Sequence, residues 1–369
     1  MSFERYSKGY FDPRTLYQID SLYAWKNGLY FPPVVVEINP TSACNQKCRY
    51  CYVAGRTSGT MDDALLLKLM SQLSHAGVKA VVFQGAGEPL LQKALPDSIE
   101  IGAKKGLAMS LTTNGILLNK EMQERILKHL TYVKFSNLDK NTQRYAYDHG
   151  CPEKQWESLI DNIKNAVATR EEHDLQILFL ATVYLTKKSF HDAYNILKYL
   201  KELGIDYVSI QEAVPNEYSY SGKEPLASSY FTEYEINDMK KKVLTLKDED
   251  FFVKVRFPLT DSTFTNGRFA DCWVNNWCQG IKFNTVIDTD GEVYPCFRYW
   301  GEKEFSYGNL HEKSFEDIWK GEKRKEIEEY TNKTPPKGDE CSTCNVTKIN
   351  DILHNIRDAE KRRWRDFLI

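Results

Sequence analysis

From residue 34 to residue 213 the chain alternates short apolar runs with longer stretches of helical periodicity, and this leaves few folds open. Strands are predicted at 34–39, 80–85, 108–114, 132–137, 175–185 and 207–213. Between them, 61–76, 95–105, 120–130, 153–171 and 189–203 carry helical spacing. The strand runs are apolar almost throughout, as strands covered on both faces should be. Strand and helix in strict succession predict parallel βα units. Six such units fall short of a closed eight-fold barrel, which takes about 250 residues. The expected class is α/β: a partial (βα)6 TIM-like barrel, with functional residues at the carboxyl ends of its strands.

The rest of the chain departs from that rhythm. Residues 1–33 form an aromatic-rich N-terminal extension ending in Pro32-Pro33, and 34–213 form the barrel. Residues 214–270 read as a linker and connecting segment, with a helix at 233–246 and a strand at 251–257. Residues 271–348 read as a small β-hairpin/α domain, its hairpin turning at Asp290-Gly291. Residues 349–369 read as a charged helix. Lys and Arg number 49 against 51 Asp and Glu, so neither nucleic acid nor an acidic membrane is called for as a partner. No run of about twenty apolar residues suggests a membrane span. The first residues lack the apolar core of a signal peptide, which makes the expected location cytoplasmic.

In a cytoplasmic chain, nine clustered cysteines point to metal or redox chemistry rather than disulfides. Cys44, Cys48 and Cys51 lie directly after the first predicted strand. Zinc wants four ligands, and no fourth lies nearby in sequence. Iron–sulfur cubanes usually take four cysteines, so three leave one iron open to a small molecule.

This pattern, Cys-x3-Cys-x-aromatic-Cys after the first strand of a partial barrel, resembles the radical S-adenosylmethionine superfamily. The resemblance implies a 4Fe-4S cluster on Cys44, Cys48 and Cys51 whose open iron chelates S-adenosylmethionine. Reductive cleavage would then release a 5′-deoxyadenosyl radical that abstracts a substrate hydrogen. It also implies that Tyr50 lies beside the adenine. Gly85-Ala86-Gly87-Glu88-Pro89 resembles the family's Gly-Gly-Glu-Pro motif, with Ala86 a departure, and implies that Gly87 and Glu88 meet the methionine ammonium. Thr112-Thr113-Asn114-Gly115 is similar to a turn common in relatives, and Ser136 stands where relatives reach the cofactor's carboxylate or ribose. Asn137 replaces a more usual aliphatic residue. Ordinary turn chemistry is the plainer account of each of these positions.

A second group, Cys278, Cys296, Cys341 and Cys344, could close a zinc site or a cubane, and spacing alone does not separate the two. Its context resembles the SPASM domains of the same superfamily. No cysteine follows Cys344, which resembles the shortened "twitch" form with one auxiliary 4Fe-4S cluster. Fully ligated, such a cluster would carry electrons. Cys272 is an alternative first ligand, and Cys151 or Cys272 could donate a hydrogen atom, although an incidental thiol is the plainer reading.

An auxiliary cluster beside a substrate radical suggests oxidation. The expected substrate is a small polyhydroxylated molecule (a sugar, cyclitol or nucleoside), with Glu212 and Arg256 as possible pocket groups. Flavodoxin or ferredoxin would supply the electron. The alternative is epimerisation or crosslinking of a ribosomally made peptide. The 33 residues before the first strand count against it, being few for a peptide-recognition domain. Sulfatase maturation is disfavoured by the cysteine count. Molybdenum-cofactor synthesis is disfavoured by the four-cysteine C-terminal pattern and the Phe367-Leu368-Ile369 ending. A zinc- or cluster-binding scaffold is the non-enzymatic alternative.

Overall fold

The computed structural model describes residues 18–51, 53, 55, 59–213, 227–257, 278–333, 350 and 353. Its strands are β1 (Val35–Ile38), β2 (Ala80–Phe83), β3 (Ala108–Thr113), β4 (Leu130–Phe135), β5 (Leu178–Leu185), β6 (Tyr207–Glu212), β7 (Phe252–Arg256), β8 (Asn284–Ile287), β9 (Glu292–Tyr294) and β10 (Gly308–Asn309). They join in one sheet ordered β10-β9-β8-β1-β2-β3-β4-β5-β6-β7. The first seven run parallel, each pairing with the next in sequence.

The helices are α1 (Ile19–Lys26), α2 (Asp63–Ala76), α3 (Leu95–Lys104), α4 (Lys120–Ile126), α5 (Thr142–His149), α6 (Lys154–Glu172), α7 (Ala193–Glu202), α8 (Glu233–Leu244), α9 (Phe315–Lys320) and α10 (Glu322–Lys333). On α2, Leu66, Leu69, Met70 and Leu73 share one fully buried stripe. Asp62 caps its start by accepting from Leu65 N at 2.9 Å. One continuous core joins this stripe to Val36, Ile38, Val81, Phe83, Leu111 and Phe135 of the strands.

The α/β partial barrel is present, and its sheet extends past the six expected strands at both edges. On one edge β7 pairs parallel with β6. On the other, β8 pairs parallel with β1 through Val35↔Asn284 to Ile38↔Ile287. The hairpin therefore continues the barrel sheet, with β9 and β10 added antiparallel.

Residues alternating with the core positions face the other side. They include Glu37, Thr112, Tyr132, Lys134, Tyr184, Gln211, Lys254 and Arg256, all half-buried. The sheet curls so that these groups meet: Lys134 on β4 feels both Glu37 on β1 and Arg256 on β7. The barrel lumen is thus polar, while the apolar face lies under the helices.

Candidate active site

The cysteine loop leaves β1 at its carboxyl end and is held from three sides. On the β2 side, Glu88 N donates to Ala43 O at 2.8 Å. Gly87 lies against the loop's backbone, where any side chain would collide with Ala43 O. From β3, Asn114 Nδ2 donates to Asn45 Oδ1 at 2.6 Å. On the third side, the end of α5 accepts Lys47 N on His149 O at 2.9 Å and Arg49 N on Asp148 O at 2.8 Å. Gly150, at φ +56°, presses against Lys47 O.

Sequence reading missed α5 altogether, because Thr142–His149 is polar and weakly patterned. Its punctuation was available: Asn141 caps Arg144 N at 2.8 Å, and Gly150 ends the helix in the left-handed conformation.

Cys44 is exposed, while Cys48 and Cys51 are half-buried. Burial pushes the Cys48 thiol well up, and Cys44, Cys51 and Cys151 push it further, so the four sulfurs are near neighbours. Among the described residues, no three His, Cys, Asp or Glu side chains converge as a single metal ion requires. A tetrahedral zinc site would hold its thiolates roughly 3.8 Å apart, given Zn–S of about 2.3 Å. A cubane places each thiolate on a different iron and accepts a wider set. The donor set therefore fits an iron–sulfur cluster better than one ion.

Glu88 is 2 % exposed, and its carboxylate is occupied within the protein. It accepts from Thr113 Oγ1 at 2.6 Å, Asn114 N at 2.8 Å and Leu90 N at 3.1 Å. These bonds fix the β3 turn against the β2 turn. Ser136 is half-buried and shares the lumen parity of Lys134. Asn137 adopts φ +49°, a conformation Asn tolerates better than an aliphatic residue, and its Oδ1 accepts from Tyr184 N at 2.9 Å. Tyr50 is half-buried beside Cys51. Ala86 packs with Cys51 against a small cluster of Val53, Tyr294 and Trp300. That cluster joins the first cysteine loop to the hairpin carrying Cys296.

Within the lumen a hydrogen-bonded row crosses β8, β1, β2 and β3. Asn284 Nδ2 donates to Glu37 Oε1 at 3.3 Å, Gln84 Nε2 to Glu37 Oε2 at 2.6 Å, and Thr112 Oγ1 to Gln84 Oε1 at 3.3 Å. Burial raises the Glu37 carboxyl and lowers the Lys134 ammonium. Cys48 and Cys51 act on Tyr184, so the cysteine loop reaches over the lumen mouth.

Of the two expected pocket groups, Glu212 lies outside the lumen. Glu212 has the parity of Val208 and Ile210, on the helix side of β6, is 1 % exposed, and accepts from Ser228 N at 2.5 Å. One residue earlier, Gln211 faces the lumen. Cys151 packs against the core and lies 3.9 Å from Gln46 Nε2. Gln46 also donates to Tyr145 Oη at 3.0 Å and Gln155 Oε1 at 3.1 Å, which places Cys151 between the cysteine loop and α5–α6. Arg256 shares the lumen face with Gln211 and Tyr184. Lys134 was missed, although a lysine inside an otherwise apolar strand is itself a signal.

At the second site, burial raises the Cys278 thiol, and Cys278 Sγ accepts from Asn350 Nδ2 at 3.4 Å. Asn350 Oδ1 also accepts from Gln279 N and Gly280 N, each at 2.8 Å. Cys296 follows β9. Cys272, Cys341 and Cys344 lie outside the described residues.

Comparison with known proteins agrees with this layout. Residues 38–170 match the Radical SAM superfamily, and 278–345 match SPASM, an iron–sulfur cluster-binding domain. The chain is 26 % identical over 341 residues to the tungsten-containing aldehyde ferredoxin oxidoreductase cofactor-modifying protein of Pyrococcus furiosus, covering 85 % of this chain and 89 % of that one. It is 24 % identical over 349 residues to a cysteine-type anaerobic sulfatase-maturating enzyme of Clostridium perfringens, covering 86 % and 88 %. Among solved structures, Streptococcus suis SuiB bound to S-adenosylmethionine shares the fold, with TM-score 0.63 and 18 % identity over 91 % of this chain and 76 % of that one. No helix of the described residues is long and apolar enough to cross a membrane.

Proposed function

Because the chain belongs to the radical S-adenosylmethionine superfamily and carries a SPASM-type domain, we propose that it is a maturase that oxidises a side chain of a peptide or protein. The chain is an enzyme of radical chemistry whose cofactors are S-adenosylmethionine, a 4Fe-4S cluster and auxiliary iron–sulfur binding. When bound, these groups supply the one-electron cleavage of the sulfonium, the hydrogen-abstracting radical and an electron acceptor. Similarity over 85–86 % of the chain to two modifying enzymes, one of them a sulfatase maturase, carries the peptide reading. That extent outweighs the cysteine count set against sulfatase-type maturation, and it favours a peptide over a sugar or cyclitol.

In this proposal Cys44, Cys48 and Cys51 hold the first cluster. Cys278 and Cys296, with Cys341 and Cys344, hold one auxiliary cluster, the twitch form. Tyr50, Gly87, Asn114 and Ser136 border the S-adenosylmethionine site, and Glu88 acts by bracing two of its turns. The substrate enters the polar lumen below the cysteine loop. After hydrogen abstraction the substrate must lose a proton, and Lys134, on the lumen face with Glu37 and Arg256, is the group we assign to take it; burial lowers its ammonium from the usual lysine range. Arg256 orients the substrate from β7. The electron donor is a small ferredoxin or flavodoxin, and the working compartment is the cytoplasm.

The test is anaerobic incubation of the reconstituted enzyme with S-adenosylmethionine, dithionite and two probe sets: cysteine- or serine-containing peptides, and amino sugars or cyclitols. A peptide should stimulate 5′-deoxyadenosine release and lose two hydrogens by mass spectrometry. Stimulation by the sugar set alone overturns the peptide reading.

A further inference from the structure

Beside the cysteine loop the fold gathers cations from separate elements onto exposed aromatic rings. Tyr147 on α5 is exposed, and its ring holds two of them: Arg49 Cζ lies 4.5 Å from the centroid and Lys188 Nζ 3.9 Å. Arg49 comes from the cysteine loop and Lys188 from the turn after β5. The neighbouring Lys187 sets its Nζ 4.2 Å over the ring of Tyr230, which is also exposed. Both lysines are exposed, and so is Lys47, whose backbone N is tied to His149 O at the same end of α5.

Cations gathered this way repel one another. Arg49 and Lys188 share one ring and so stand within a Debye length, about 10 Å at 0.1 M salt. Carboxylates of the adjoining elements do not offset them at the surface. Asp148 is buried, Asp139 is taken by Arg144 at 2.5 Å, and Asp192 is shared by Arg144 at 2.9 Å and Lys140 at 3.4 Å. Exposed cations on aromatic rings fit an anionic partner. Their place says which one. They stand on the cysteine loop and beside the α5 end that grips it, and Cys44 of the same loop is exposed. A cluster on that loop needs an electron from outside, and the entry is shortest where a ligand thiol reaches the surface.

Resting on the first-cluster and electron-donor readings above, we propose that Lys47, Arg49, Lys187 and Lys188 form the docking surface for an acidic one-electron carrier protein. The carrier gives up one electron, the oxidised cluster takes it, and no bond forms or breaks. Electrons thereby enter beside the first cluster and not through the SPASM-type domain. An acidic stretch of a peptide substrate is the rival occupant.

The test uses the reconstituted full chain, with and without the pair Lys187→Glu and Lys188→Glu, and flavodoxin as the carrier. Calorimetry should show the wild type binding flavodoxin, more weakly as salt rises from about 0.05 to 0.3 M. The variant should bind about tenfold more weakly at low salt, with a shallower salt dependence. Its kcat/KM in reduced flavodoxin for 5′-deoxyadenosine release should fall by a similar factor. Release driven by excess dithionite should stay at the wild-type level, with and without the peptide probes. Equal affinity of wild type and variant for flavodoxin overturns the docking surface. A loss under dithionite overturns it too: without peptide it gives the lysines to the S-adenosylmethionine site, and with peptide alone to an acidic substrate. A wild type that works with dithionite but neither binds nor accepts electrons from flavodoxin or a ferredoxin overturns the electron-donor reading itself.

Discussion

Gly87 lies so close to Ala43 that a Cβ built on it would sit 2.2 Å from the Ala43 carbonyl oxygen, with Thr41 O at 2.5 Å. Both obstacles are backbone, so neither can rotate away. The glycine is required because the β2 turn is the wall against which the cysteine loop is set. Gly87→Ala should push the loop outward and misplace its thiols. A shift of about 1 Å at a reacting centre can cost on the order of 100-fold in rate. The expected result is that loss in 5′-deoxyadenosine formation, with the EPR signal of the first cluster weakened and the auxiliary signal kept. A wild-type first-cluster signal would remove the bracing role from Gly87.

The α5 end that grips the loop contains two buried groups whose titrations oppose each other. Burial, helped by Asp139, raises the Asp148 carboxyl to about 7, and burial lowers the His149 imidazole to about 4. The raised carboxyl contributes stability that is lost as pH climbs from 3.8 through 7. The depressed imidazole contributes stability that is lost as pH drops from 6.5 through 4. Between these limits the contributions of these two groups offset each other, so each variant is read as a change of slope relative to the wild type. Asp148→Asn should uncover stability that rises with pH across this window, by up to about 3 kcal/mol. His149→Gln should uncover the opposite slope. Urea unfolding at stepped pH reads both, and parallel profiles for the two variants would contradict the assignment.

For Lys134 the decisive comparison is between two activities. Lys134→Ala should keep uncoupled cleavage of S-adenosylmethionine but lose substrate oxidation by about 100-fold, the low end for a general base. Lys134→Arg should not restore it, since a guanidinium stays protonated. Wild-type oxidation should rise with pH as the amine is freed, and this dependence should vanish in the alanine variant. Recovery in Lys134→Arg would make the residue a charge anchor and not a proton acceptor.

The candidate site could be proposed from sequence because its motifs are local along the chain. Three cysteines in eight residues, a Gly-Glu-Pro turn and strand-end Ser136 are each read from neighbours along the chain. What sequence concealed depends on distant pairing or on single-residue parity. Nothing near Val35 announces Asn284 as its sheet partner, yet that register fuses the hairpin to the barrel. In Gln211-Glu212 the alternation of Val208 and Ile210 with Ser209 already assigns Glu212 to the apolar side, but a carboxylate at a strand's end reads as a site group and hides that parity. The structure turns Gln211 inward and Glu212 towards the helices. The α5 brace was hidden because it works through backbone carbonyls, which side-chain motifs do not encode.

Asn137 joins backbone conformation to site placement, and its variants separate the two. The residue sits at φ +49° directly after Ser136, and its Oδ1 holds Tyr184 N at 2.9 Å. Alanine loses both the tolerance for this conformation and the acceptor. The conformational cost is about 1 kcal/mol or more, and the unmade bond adds about 1 kcal/mol. Glycine relieves the first and keeps only the second. Stability by chemical denaturation should therefore rank Asn137 above Asn137→Gly above Asn137→Ala, in steps of about 1 kcal/mol. Both variants should also bind S-adenosylmethionine more weakly, because Ser136 and Tyr184 lose their common tie. Equal losses for the two variants would mean that the left-handed conformation carries no penalty. A neutral Asn137→Gly would mean that the bond to Tyr184 carries none.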